Sequence, residues 1–270
     1  MYKRQLQHRL WSDAAHALWL RAGVQPGQRV LDIGSGPGHA SFDLAQLVAG
    51  VADRGPRGQV VSVDASPGFI HWLNAQAAVR GMPHLKGLVA DVMDLPGGLA
   101  PVPGLATGSF DAAYARWVLC FVPDPAAVVR GVAAMLRPGG VFIVQDYFNY
   151  EAMTTAPRLH AFTRAVKATG ESWRARGGDP DLVGRLPGLM RRAGLRVTHL
   201  EAHQRIARPG DTMWQWPATF WRNFVPQLIK LELLPAGFMG EWEREWAELE
   251  RNPDAFCVLP VVYDVIGVKD

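Results

Sequence analysis

Asp32, Gly34, Gly36 and Gly38 fall together in Asp32-Ile33-Gly34-Ser35-Gly36-Pro37-Gly38, and a second acid, Asp64, ends the next apolar run. Glycines where a strand turns into a helix let a ligand approach the backbone. The helix that follows offers free N–H groups and a partial positive charge. A glycine-rich loop alone is weak evidence, because tight turns use glycine for steric reasons. Its setting adds weight: it follows the short apolar run Arg29-Val30-Leu31-Asp32-Ile33, and Asp64 closes Gln59-Val60-Val61-Ser62-Val63 about where a partner for ribose hydroxyls would stand. A nicotinamide or flavin fingerprint needs its third glycine one position later, where this chain has His39. A carboxylate at Asp32 suits a pyrophosphate poorly but could hold an ammonium, directly or through water. No Gly-Lys-Ser/Thr follows, which excludes a P-loop. The residues favour a zwitterionic nucleoside over a dinucleotide.

The elements that must position these residues alternate between strand and helix. Ser66-Pro67 starts a helix, serine as N-cap and proline at the first helical position, with Ile70, Leu73 and Ala77 at helical spacing. A third strand runs through Leu88-Val89-Ala90 to Asp91, and a fourth through residues 110–115. Asp124-Pro125 caps a helix whose stripe is Val128, Val129, Val132 and Leu136; it stops at Arg137-Pro138-Gly139-Gly140, before a fifth strand over residues 141–144. Such alternation predicts an α/β fold, a doubly wound and mostly parallel sheet with helices on both faces. In the second half, residues 157–194 read as two helices around Gly177-Gly178-Asp179-Pro180, and residues 196–200 as a sixth strand. Residues 212–251 are Trp-rich and helical in pattern, and residues 256–268 read as a final strand, in which Pro260 argues for an edge position or a bulge.

The chain has 270 residues, 49% of them hydrophobic and 20% charged, which is ample apolar material for one continuous core. Its two cysteines, Cys120 and Cys257, lie far apart in apolar runs and read as buried thiols. No Cys/His cluster has zinc-site spacing, so no metal is expected. The amino terminus lacks the apolar core of a signal peptide and no stretch is long enough to span a bilayer, so the expected location is the cytoplasm. Net charge is only +3 with scattered arginines, and no nucleic-acid partner is expected.

Val30-Leu31-Asp32-Ile33-Gly34-Ser35-Gly36-Pro37-Gly38 resembles the first motif of class I, Rossmann-like S-adenosylmethionine-dependent methyltransferases. Val63-Asp64, Ala90-Asp91-Val92, Ser109-Phe110-Asp111 and Leu136-Arg137-Pro138-Gly139-Gly140 follow in the family's order, so the resemblance covers roughly residues 25–147. A looser likeness to small-molecule and quinone-type members rests on Tyr114-Ala115-Arg116-Trp117 and Gly177-Gly178-Asp179-Pro180. The resemblance implies a seven-stranded sheet, and S-adenosylmethionine as cofactor with S-adenosylhomocysteine as product. It also implies that Asp64 accepts both ribose hydroxyls, Asp91 takes the adenine amino group beside the Val92 backbone, and Ala65 flanks the ring. Gly34, Ser35, Gly36 and Gly38 would pass under the methionine portion, with Asp32 and Arg116 near its polar end. Taken alone, Asp91 reads equally as a turn carboxylate, and Asp111 reads as a structural turn residue.

One domain over residues 1–270 is expected, with a cofactor-binding core at about 22–150 and substrate-covering helical segments at about 151–194 and 210–252. The methyl acceptor, a small molecule of aromatic or lipophilic character, would enter over the carboxyl ends of the fourth and fifth strands. Arg116, Trp117, Asp146, Tyr147, Phe148 and Tyr150 come from these ends, and His160, Trp173, Trp214, Trp216 and Trp221 from the helical segments. His160 is the first candidate for a general base and Tyr147 the second, although each residue type is more often packing or surface material. The Trp-rich helices could cover the site or form a homodimer face. The alternatives are an RNA or protein methyltransferase on the same fold, and a protein that binds the cofactor without methylating, or uses its charge for another reaction.

Overall fold

A computed structural model of the chain describes residues 2–50, 58–97 and 106–270. The first half unfolds in chain order as α1 (Tyr2–Arg21), β1 (Arg29–Ile33), α2 (His39–Ala49), β2 (Gln59–Asp64), α3 (Pro67–Val79), β3 (Leu85–Val89), β4 (Phe110–Arg116), α4 (Pro125–Met135) and β5 (Leu136–Tyr147). The second half adds β6 (Thr154–Ala156), α5 (His160–Arg174), α6 (Leu186–Arg192), β7 (Leu195–His203), β8 (Ile206–Ala207), α7 (Gln215–Lys230), α8 (Phe238–Arg251), β9 (Phe256–Val258) and β10 (Val262–Lys269).

Seven strands form one sheet in the order β3-β2-β1-β4-β5-β10-β7. β1, β2, β3, β4 and β5 pair in parallel, while β10 runs antiparallel between β5 and β7. The order reverses beside β1, so the carboxyl ends of β1 and β4 open the crevice in which such sheets bind ligands. Strands β1, β2 and β4 are buried along nearly their whole length, as strands covered by helices on both faces must be.

Three elements differ from the sequence expectation. The third strand is Leu85–Val89, so Ala90 and Asp91 follow it. The fifth begins at Leu136, because Arg137-Pro138-Gly139-Gly140 already belongs to the extended segment, with a register irregularity against β4. Residues 256–268 form two strands in two sheets: β9 joins β6 and β8 in a small antiparallel sheet, and β10 lies inside the main one. Pro260, with no N–H to donate, stands in the break between them, neither at an edge nor in a bulge.

Helix α1 had no counterpart in the sequence reading, yet its buried residues Trp11, Ala15, Leu18 and Trp19 have helical spacing. One cluster of buried apolar side chains runs from Leu31 and Val144 in the sheet to Trp221 and Trp242 in the helices above it. Cys120 and Cys257 are free and buried. Among the described residues, no helix is long and apolar enough to cross a membrane.

Candidate active site

The turn after β1 depends on glycine. Gly34, Gly36 and Gly38 have φ of 63°, 57° and 81°, in the left-handed region that costs any residue with a Cβ. A side chain at Gly34 would also run into Val118, and one at Gly38 into Leu73. Ser35 N donates to Val63 O at 3.0 Å, tying the turn to β2. Asp64 then spans two elements: its carboxylate accepts from Gly36 N at 2.8 Å and from Ser66 N at 2.9 Å. Ser66 in turn caps α3, as its sequence position implies.

Asp32 is buried beneath this turn and accepts the Ser41 hydroxyl at 2.6 Å. Burial pushes its carboxyl up to about 7, with Ser41 and the Arg116 guanidinium pulling the other way. Above it sits α1. Arg116 Nη2 donates to His8 Nδ1 at 3.0 Å, which leaves His8 Nε2 as the protonated nitrogen facing Asp43 Oδ2 at 3.0 Å. His39 stacks on His8, and burial, with His8 and Arg80 near, lowers it to about 4. These groups enclose a recess of about 70 Å³ bounded by Asp32, Gly34, Ser35, His39 and Arg116.

Gln7, Gly34, Arg116 and Trp117 also bound a second, larger cavity of about 450 Å³. Its walls are aromatic: Trp117 stacks on Tyr147 with ring centres 6.1 Å apart, and Tyr150 meets Trp173 at 4.7 Å. Helix α7 closes it with Trp216, Phe220 and Trp221. The apolar face of α7 is therefore used inside the chain. Trp117 has φ of 53°, a strained setting for a non-glycine residue at the junction of the two spaces.

Of the residues expected around an acceptor, the structure brings Arg116, Trp117, Tyr147, Tyr150, Trp173, Trp216 and Trp221 into this lining. It does not bring in four others. Asp146 is buried behind the wall, accepting from Cys120 N at 3.1 Å and Tyr147 N at 2.9 Å; burial raises it to about 6. Phe148 packs on Tyr263, and Trp214 stacks on Trp246 while donating to Glu250. His160 is exposed at the start of α5 and outside the lining, so the first candidate base has no route to an acceptor there. Tyr147 does line the cavity, but burial and neighbouring Tyr150 hold its hydroxyl well above the ordinary range. Its hydroxyl is therefore protonated at neutral pH.

Ala65 and Asp91 are exposed just beyond β2 and β3, and Val92 is buried beside them. Asp91 accepts from Met93 N at 2.9 Å, a turn contact. Asp111 accepts from Arg29 N at 2.7 Å and Arg137 Nε at 2.6 Å, and holds the base of the sheet. Gln7 and His8 escaped the sequence reading because α1 carries no motif. The helical stripe from Trp11 to Trp19 was the available signal.

Residues 31–144 match the family model described as a methyltransferase domain. The trans-aconitate 2-methyltransferase of Methylobacterium radiotolerans is 31% identical over 172 residues, covering 64% of this chain and 56% of that protein. The aklanonic acid methyltransferase of Streptomyces sp. (strain C5) is 32% identical over 114 residues, covering 42% and 46%. The chain thus spans about half the length of the curated relatives it matches. The solved structure of the YcgJ protein of Bacillus subtilis superposes with a TM-score of 0.57 at 17% identity, covering 94% of this chain and 98% of that one, which shows a shared fold.

Proposed function

We propose that this chain, which carries a methyltransferase domain of the class I, Rossmann-like type, transfers the methyl group of S-adenosylmethionine to a small-molecule acceptor. The observation that carries this reading is the shared wall. Gly34, Arg116 and Trp117 border both the recess over Asp32 and the large aromatic cavity, so a ligand in one would meet a ligand in the other.

The residues present fit the cofactor. The Asp64 carboxylate, at the end of β2, has the two-oxygen geometry to accept both ribose hydroxyls. The Asp91 side chain and the Val92 backbone would meet the adenine edge, and Ala65 its face. Gly34, Ser35, Gly36 and Gly38 would pass their backbone under the methionine portion, in a turn that Gly34, Gly36 and Gly38 hold at positive φ. Asp32, once ionised, would face the ammonium, and Arg116 the same polar end.

Bound there, S-adenosylmethionine supplies an already activated methyl group. The chain's own work is then to align the acceptor with that methyl and exclude water. Such positioning is worth about 7–11 kcal/mol in favourable intramolecular cases. Trp216, Phe220 and Trp221 on α7 do the excluding, so we read the segments at about 151–194 and 210–252 as a cover built onto the core at about 22–150. The relatives named for trans-aconitate and aklanonic acid support a small acceptor over a macromolecule.

Calorimetric titration with S-adenosylmethionine and S-adenosylhomocysteine tests the reading. Micromolar binding of both, weakened in Asp64→Ala, is the expected result. Failure of the folded wild-type chain to bind either would leave only the fold.

A further inference from the structure

Helix α1 turns one side chain toward both spaces. Trp11, buried on the inner face of α1, meets the rings of Trp117 and Trp216 edge-on, with ring centres 5.6 Å apart in each pair. Gln7 stands one helical turn before Trp11 and shares that face, on the side of the cavity that Trp117 and Trp216 line. His8, the next residue round the helix, is directed into the recess, where it holds Arg116 and faces Asp43. Gln7 is half-buried, and it borders the recess as well as the cavity.

Four described residues border both spaces: Gln7, Gly34, Arg116 and Trp117. On the methyltransferase reading above, on which this inference rests, the sulfonium lies where the two spaces meet, because its methyl group has to reach the acceptor. Arg116 brings a like charge to that place. Its guanidinium already lies 5.1 Å from the ring centre of Trp117, and that ring also stacks on Tyr147. Gly34 has no side chain. Gln7 therefore supplies the only side-chain oxygen of the shared wall among the described residues. Its amide makes no hydrogen bond to a described residue and, unlike Arg116 Nη1 and Trp117 Nε1, is not enclosed without one.

We propose that Gln7 is a cofactor-contacting residue that tells S-adenosylmethionine from S-adenosylhomocysteine, its amide oxygen facing the sulfonium and the methyl group from the side of α1. An amide oxygen carries a partial negative charge. It attracts a sulfonium and accepts weak C–H···O contacts from the polarised methyl. The product thioether is neutral and has no such methyl, so the contact exists only before transfer. Gln7 thus favours the loaded cofactor over the spent one.

Calorimetric Kd values for both nucleosides in the wild type, Gln7→Leu and Gln7→Glu test this through one ratio, the Kd of S-adenosylhomocysteine over that of S-adenosylmethionine. A change that acts on both nucleosides alike, through Arg116 or through the packing of α1, cancels in it. Leucine keeps the bulk and removes the oxygen, so the ratio should fall about threefold, the worth of a weak C–H···O contact. Glutamate sets a full negative charge beside the sulfonium, and the ratio should rise about tenfold. Gln5→Leu, on the exposed side of α1, should leave it unchanged. A ratio that stays constant, that fails to rise in the order leucine, glutamine, glutamate, or that Gln5→Leu moves equally overturns the assignment and leaves the methyltransferase reading standing. Should Gln7→Leu not fold, as judged by circular dichroism, the wild type against Gln7→Glu decides in the same way. Failure of the folded wild type to bind either nucleoside overturns both.

Discussion

The carboxylate of Asp64 accepts the backbone N–H of Gly36 at 2.8 Å, so the acid that ends β2 clamps the turn that ends β1. Its other oxygen takes Ser66 N at 2.9 Å, at the entrance to α3. One side chain therefore fixes the glycine turn and the neighbouring helix start, and faces the place assigned to a ribose.

Asp64→Ala should remove both structural contacts and both ribose contacts. Charge-assisted hydrogen bonds of this kind are worth about 1.5–3 kcal/mol each, so losing both ribose contacts should lower nucleoside affinity about 100-fold or more. Asp64→Asn keeps one acceptor and should fall between the wild type and Asp64→Ala. Calorimetric Kd values for S-adenosylhomocysteine decide this; an unchanged affinity in Asp64→Ala would remove the residue from the site.

Asp32 makes binding depend on pH. Its carboxyl is held near 7 in the cofactor-free fold, chiefly by burial. An ammonium ligand requires the ionised form, so affinity for S-adenosylmethionine should rise about tenfold from pH 6 to pH 8. Asp32→Asn should bind weakly and without that slope. Stability moves the opposite way. A carboxyl whose folded pKa lies above its unfolded value stabilises the fold fully below pH 3.8, and loses that contribution as pH rises through about 7. Asp146, raised to about 6, adds to the same loss, while His39, lowered to about 4, opposes it between its folded and unfolded values. Urea unfolding from pH 4 to pH 8 should show the Asp32 contribution as a slope that Asp32→Asn flattens.

Gly34 is tested by a pair of substitutions. Alanine there must adopt φ near 63° and meets the Val118 side chain. The left-handed backbone costs about 1–2 kcal/mol and the overlap about 1–3 kcal/mol. Gly34→Ala should therefore lower stability by the sum, and Gly34→Ala with Val118→Ala should recover only the overlap. Equal urea midpoints for wild type and Gly34→Ala would mean that the turn relaxes freely.

How much of this was legible in the sequence depends on how local each feature is. The β1 turn, Asp64 and the Ser66 cap depend on residues adjacent in the chain, and strand alternation already implied the main sheet. The recess over Asp32 depends on His8 meeting Arg116 across 108 positions, and no local pattern encodes that contact. Residues 256–268 are apolar almost throughout, so only Pro260 hinted that they divide between two sheets. Residue type gave His160 as a base, but type cannot say which way a helix end faces. Seven of the expected acceptor residues do meet, because the sheet delivers the ends of β4 and β5 to one place and the apolar face of α7 must cover it.

A buried polar chain behind the recess supplies the last test. Tyr114 donates to Gln145 Oε1 at 2.6 Å, Gln145 Nε2 donates to Asp264 Oδ1 at 2.8 Å, and His203 Nε2 donates to Asp264 Oδ2 at 2.8 Å, so four neighbouring strands are linked through their side chains. Burial raises the Asp264 carboxyl, with Gln145 and His203 restraining the rise. Gln145→Leu leaves the Tyr114 hydroxyl and one Asp264 oxygen without partners in the interior. At about 1–3 kcal/mol for each group, the expected loss is about 2–6 kcal/mol in urea unfolding. Adding Tyr114→Phe removes one of the two orphans, so the double variant should be more stable than the two single losses predict when summed. Strict additivity would mean that the hydroxyl finds another partner once Gln145 is gone, and that the chain is a row of separate contacts with no coupling between them.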